Sequence, residues 1–149
     1  MASNIFNSAL NSILNSTIDL DSDDIRARLC MNTTTCDTEK DAITDIADFT
    51  LVDVADATGY ADVALTSEAV AVDDANDRSE FDAADVSFTG LSGDATRDYQ
   101  GVLIYKYVDG TNANDIPIAF IDFTADITSA ATQVDVPWSS EGILQLAQA

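Results

Sequence analysis

The sequence has no histidine, and only six lysines and arginines stand against 27 aspartates and glutamates; cysteine and proline occur twice each and glycine six times. Each shortage removes a class of function. Without histidine there is no Ser-His-Asp triad, no Cys-His pair and no imidazole metal site. A formal net charge of −21 repels phosphate backbones and anionic headgroups, which argues against nucleic-acid binding and electrostatic membrane docking. Cys30 and Cys36 are too few for a disulfide framework or a cysteine-only zinc site, and their spacing is not C-x-x-C, so they read as two plain thiols. The scattered glycines form no phosphate-binding loop, and neither G-x-S-x-G nor H-E-x-x-H occurs. No apolar run reaches bilayer-spanning length, and residues 1–17 lack the basic and continuously apolar regions of a secretory signal. The expectation is a soluble protein that folds in a cytoplasm.

What is present is enough apolar material for a core: 46% hydrophobic residues in a chain of 149, consistent with one domain, 1–149, burying roughly 68–70% of its unfolded surface. Residues 1–18 read as a helical N-terminal segment. Ile5, Phe6, Ala9, Leu10, Ile13 and Leu14 follow the i, i+3, i+4 spacing, Ser3 is the candidate N-cap, and the repeat Asn7-Ser8, Asn11-Ser12, Asn15-Ser16 fills the other side with uncharged polar groups.

Residues 19–149 read as a β-rich body. Ile25-Arg26-Ala27-Arg28-Leu29 alternates with period two, as a half-buried strand with Arg26 and Arg28 on its open face. Thr38-Glu39-Lys40-Asp41 offers a capping-box start for a short helix near residues 38–48. Period-two runs then recur at 51–54, 61–65, 69–72, 79–81, 86–88, 134–138 and 143–146, with Pro137 marking an edge or bulge. The stretches 101–108 and 116–123 are apolar on both faces and are the candidate central strands. Many short strands and little helix predict a mainly β fold, an antiparallel β-sandwich or jelly-roll-like barrel.

Chemistry is harder to find. Asp19, Asp21, Asp23 and Asp24 suggest a calcium loop, but the sixth position is Asp24 instead of glycine and the twelfth is Cys30 instead of glutamate. Asp73, Asp74 and Asp77 have the spacing of a hairpin turn. Tyr105 and Tyr107 share a strand face, as a carbohydrate platform or as cross-strand packing. No carboxylate pair stands out among 27, so the reading is non-enzymatic, with neither cofactor nor metal.

The sequence nevertheless resembles a family. Asp19-Leu20-Asp21-Ser22-Asp23-Asp24-Ile25, Thr58-Gly59-Tyr60, Val70-Ala71-Val72 running through Asp73-Asp74 to Glu80-Phe81, Val102-Leu103-Ile104-Tyr105-Lys106, and Trp138 with Glu141-Gly142-Ile143-Leu144 are similar to small structural proteins encoded in the virion modules of tailed bacteriophages. The resemblance spans roughly residues 10 to 146 and implies a β-rich accessory component, a head decoration or cement protein. Its implied partners are the major capsid protein and further copies of itself, with a trimer favoured, and its implied location is the outer surface of the head. A tail or fibre component, using the tyrosine face for a receptor, is the alternative. The uncharged face at Asn7, Asn11 and Asn15 and the basic pair Arg26 and Arg28 are the candidate contact residues.

Overall fold

The two stretches that are apolar on both faces lie side by side in the largest sheet of the protein. In the computed structural model, which describes residues 3–147, the strands are β1 (Ser3–Ile5), β2 (Ile25–Met31), β3 (Val63–Ala64), β4 (Ala69–Asp73) and β5 (Arg78–Asp82), then β6 (Val86–Phe88), β7 (Tyr99–Lys106), β8 (Ile116–Ile127), β9 (Val134–Val136) and β10 (Leu144–Ala147). One helix, α1 (Asn7–Leu14), follows β1. Among the described residues, no helix is long and apolar enough to cross a membrane.

All pairings are antiparallel. A five-stranded sheet runs β1-β8-β7-β2-β3, a three-stranded sheet β10-β5-β4, and a two-stranded sheet β6-β9. The fold is mainly β and sandwich-like, and the sheets do not close into a barrel. Register places Arg28 opposite Leu103, Leu103 opposite Phe120 and Phe120 opposite Asn4, so one row crosses four strands. The core gathers Val102, Leu103, Ile104, Ile118, Phe120 and Leu29 from this sheet with Phe81, Phe88, Val134 and Val136 from the smaller ones.

Three expectations need correction. The helix does not begin near Ser3. The Phe6 amide donates to the Ile118 carbonyl at 3.0 Å, so residues 3–5 add to β8 as an edge strand and Phe6 takes the N-cap position in extended geometry without a side-chain cap. The amphipathic spacing remains, but only Ala9 of the helix is fully buried, Leu14 in the last turn is 84% exposed, and the chain leaves the helix through Ser16 at φ 61°. The second helical stretch shrinks to a single 3-10 turn, Ile46–Asp48. Ala42 sits at φ 59°, outside the helical region. The Glu39 carboxylate reaches Thr35 and Thr50 instead of a helix start, and the capping box is made by Asp45 with Asp48. Residues 51–54 contribute one bridge, Val54 to Cys30, beside β3 along the outer edge of β2. β9 stops one residue before Pro137, which cannot donate to a ladder.

Gly101 marks the tightest point of the central sheet. A Cβ there would lie 2.5 Å from the Ile121 carbonyl oxygen and 2.7 Å from the Phe120 ring. Gly101→Ala should destabilise by about 1–3 kcal/mol through overpacking. Phe120→Ala, which removes a fully buried ring, should cost about 3–5 kcal/mol. Urea melts check both, and a loss below about 1 kcal/mol for Phe120→Ala would move the core away from β7 and β8.

Candidate functional site

The strand β2 is buried along nearly its whole length, which changes the reading of its two arginines. Arg28 is only 8% exposed. Its Nε donates to Asp62 Oδ2 at 2.9 Å and its Nη1 to Asn112 Oδ1 at 3.0 Å, while the guanidinium carbon lies 4.8 Å from the centre of the Tyr105 ring. Asp62 also accepts hydrogen bonds from the Tyr105 hydroxyl at 2.7 Å and from Tyr60, whose oxygen in turn accepts the Leu29 amide at 3.0 Å. Asn112 is positioned by the loop 108–115, where one Asp115 oxygen accepts the amides of Val108, Asp109 and Gly110. The guanidinium, both phenols and the Asp62 carboxylate are paired here, as buried polar groups require, whereas the second oxygen of the fully buried Asp115 has no partner. Burial first, and then the Asp62 carboxylate, push the Tyr60 phenol far above its ordinary value; burial and the Asp62 hydrogen bond do the same to Tyr105.

Arg26 stays nearer the surface, paired with Asp24 at 2.7 Å and stacked 3.5 Å from the Tyr107 ring centre. The two arginines therefore do not form an open basic patch. The tyrosine face is closed by the same geometry, since Tyr105 lies beneath Arg28 and Tyr107 is covered by Arg26. Asn7 is exposed but donates to Asp41, and Ser8 donates to the Ile43 carbonyl, so the first turn of the uncharged helix face is met by the chain's own loop. Asn11 and Asn15 remain exposed farther along α1. The structure thus brings none of the five candidate residues into a common site.

The acidic clusters are turn caps and ion-pair partners. Asp23 accepts the Asp19 amide and pairs with Lys106, and Asp73 accepts Ala75 and Asn76 in the β4–β5 turn. Asp94 is held at about 2 by hydrogen bonds from Ser92 and Thr58. Asp73, Glu80 and Glu141 approach within 4.8 Å of one another, but the Arg78 guanidinium already sits among them. Cys30 and Cys36 are both fully buried free thiols; Cys30 donates to the Arg28 carbonyl at 3.7 Å, and neighbouring Cys36 and burial push its thiol up.

What the folded surface offers is apolar. A groove of about 400 Å³ runs between the end of α1 with residues 18–21 and the face of the three-stranded sheet. Ile13, Ile18, Val70, Phe81, Leu144 and Leu146 line it, with Asp19, Asp21 and Glu80 among its polar groups. Sequence reasoning missed this groove because its walls come from three distant parts of the chain, the N-terminal stretch to Asp21, the β4–β5 hairpin and β10. No family model, curated protein or solved structure matches the chain.

Two measurements separate the roles of the polar residues. Arg28→Met should cost about 3–5 kcal/mol, because it leaves Asp62 as an uncompensated, largely buried charge. Arg26→Met, which breaks an ion pair open to solvent, should cost under about 1 kcal/mol. The pH dependence follows from the raised phenols: Tyr60 and Tyr105 stay protonated in the folded chain while unfolded tyrosine ionises near about 10. Their contribution is complete below that pH and is lost as pH rises through the folded values. Melting temperature should therefore fall above about pH 10, and Tyr60→Phe should flatten that fall.

Proposed function

We propose that this protein is a non-enzymatic virion component, a decoration or cement protein that binds assembled major capsid subunits on the outer surface of a tailed-phage head after folding in the host cytoplasm. The reading is supported by the family resemblance and carried by one structural observation: five of the six basic side chains are tied into internal ion pairs, whereas the uncharged end of α1 and the apolar face of β4 stay open on a chain of net charge −21. That distribution suits a protein that must stay dispersed before assembly and then attach. Mutual repulsion keeps free subunits apart, and attachment proceeds through exposed apolar and uncharged side chains.

Among the five candidate contact residues, Arg26 is partly exposed in its pair with Asp24. Arg28 is unavailable to a partner, and Asn7 is engaged by Asp41. Asn11, Asn15 and the neighbouring Leu14 remain as the helix contribution. A clamp of this kind recognises a site that exists only where capsid subunits meet, and its binding stabilises the shell by RT ln(1 + [L]/Kd) per site. Attachment as a trimer would add avidity without new contacts.

The test adds purified protein to expanded heads that lack decoration. Saturable binding at a fixed copy number per capsomer and a raised head melting temperature are expected, both reduced by Leu14→Asp. Recovery of the protein in purified tails and its absence from heads would overturn the reading in favour of a tail component.

A further inference from the structure

We infer that β4 is a docking edge for an extended segment of another protein in which apolar and basic side chains alternate. β4 ends the three-stranded sheet, with β5 on one side and no strand on the other among the described residues. An edge of this kind presents a row of unpaired amides and carbonyls that another strand can complete. Natural edges are blunted by lysine, proline, bulges or covering loops. β4 reads Ala69-Val70-Ala71-Val72-Asp73, pairs with β5 in unbroken register, and leaves Ala69 to Val72 exposed.

The side chains tell which strand fits. Val70 and Val72, on one face, are 51% and 73% exposed, and Val70 continues into the groove floored by Phe81, Leu144 and Leu146. An added strand would place every second side chain on this apolar face. Around the edge the charge is of one sign: Glu68, Asp73, Asp74, Asp77 and Asp82 flank or belong to the hairpin, and Asp19 and Asp21 stand at the groove. The nearest cation, Arg78, is already held by Asp73, Glu80 and Glu141. The crowding has a local sign, because Asp21 is pushed up by its hydrogen bond with Asp19 and by that neighbour's charge. A second copy of this chain would bring the same carboxylates against themselves, whereas lysine or arginine between apolar residues neutralises them. Charge therefore selects a basic, apolar strand over self-pairing. This inference goes beyond the virion proposal and does not depend on it, since it concerns the edge alone.

The experiment uses the full chain and three fluorescently labelled heptapeptides: one alternating valine with lysine, the same peptide N-methylated on alternate backbone amides, and one alternating valine with glutamate. Anisotropy should show the first binding at least roughly tenfold tighter than either control. Its affinity should fall as ionic strength is raised past about 0.1 M, where the screening length drops to about 10 Å. Amide shifts in nuclear magnetic resonance spectra should centre on residues 69–73. Val72→Lys, on a side chain pointing to solvent, should keep the fold by circular dichroism and lose at least roughly tenfold in affinity. Equal binding of the N-methylated peptide, shifts centred elsewhere, or undiminished binding by Val72→Lys would overturn the inference. So would a Val72→Lys-sensitive dimer of the free protein in analytical ultracentrifugation, which would assign the edge to a second copy.

Discussion

Positive charge is the scarce component of this molecule, and the placement of its few cations organises the rest. Five of the six basic side chains join internal ion pairs: Arg26 with Asp24, Arg28 with Asp62, Arg78 with Asp73, Glu80 and Glu141, Arg97 with Asp53 and Asp56, and Lys106 with Asp23. Apart from Arg26 with Asp24 and the pairs inside the β4–β5 hairpin, each connects segments far apart in the chain. A chain of net charge −21 tends to expand by self-repulsion. Cations at the crossings of loops and strands oppose that tendency where the backbone most needs to be held. The Arg28 cluster is the deepest example, because it draws β2, β7, the turn before β3 and the loop before β8 to one point.

The carboxylates have the complementary role. Many of the acidic residues in loops accept backbone amides or hydroxyls, from near neighbours on either side or from across the fold: Asp45 caps the 3-10 turn, Asp109 accepts Thr111, Asp115 gathers the three successive amides of residues 108–110, and Asp98 accepts the Ser129 amide. Short polar side chains compete well for nearby backbone donors, and an ionised oxygen makes that bond stronger. A protein with long connections and little helix thereby orders its loops without extra apolar surface. The same economy leaves the uncharged end of α1 and the apolar Val70 and Val72 of β4 open on the surface, which is why both functional proposals rest there.

Much of this was legible in the amino-acid order alone. Period-two alternation located β2 to β6, β9 and β10 to within a few residues, although its run at 51–54 yields one bridge and no strand, and doubly apolar stretches located β7 and β8 and marked them as interior. Those signals are local, since alternation and turn composition act between near neighbours. The candidate contact residues were less legible. Arg26 and Arg28 share a period and a charge, and nothing in the sequence separates a guanidinium over a surface tyrosine from one buried against Asp62. That difference depends on residues 34 and 84 positions away.

The sequence by itself therefore determined the mainly β character, the strand positions, the acidic turns and the excess of negative charge. Tertiary structure alone decided the sheet order, the capture of residues 3–5 by β8, the collapse of the 38–48 stretch to one 3-10 turn, the burial of Arg28 and the opening of the groove beside β4. The physical reason is range. Alternation reports which side of a strand is apolar, but which partner satisfies a backbone amide, or compensates a buried charge, is set by whichever distant segment the whole fold brings within about 3 Å.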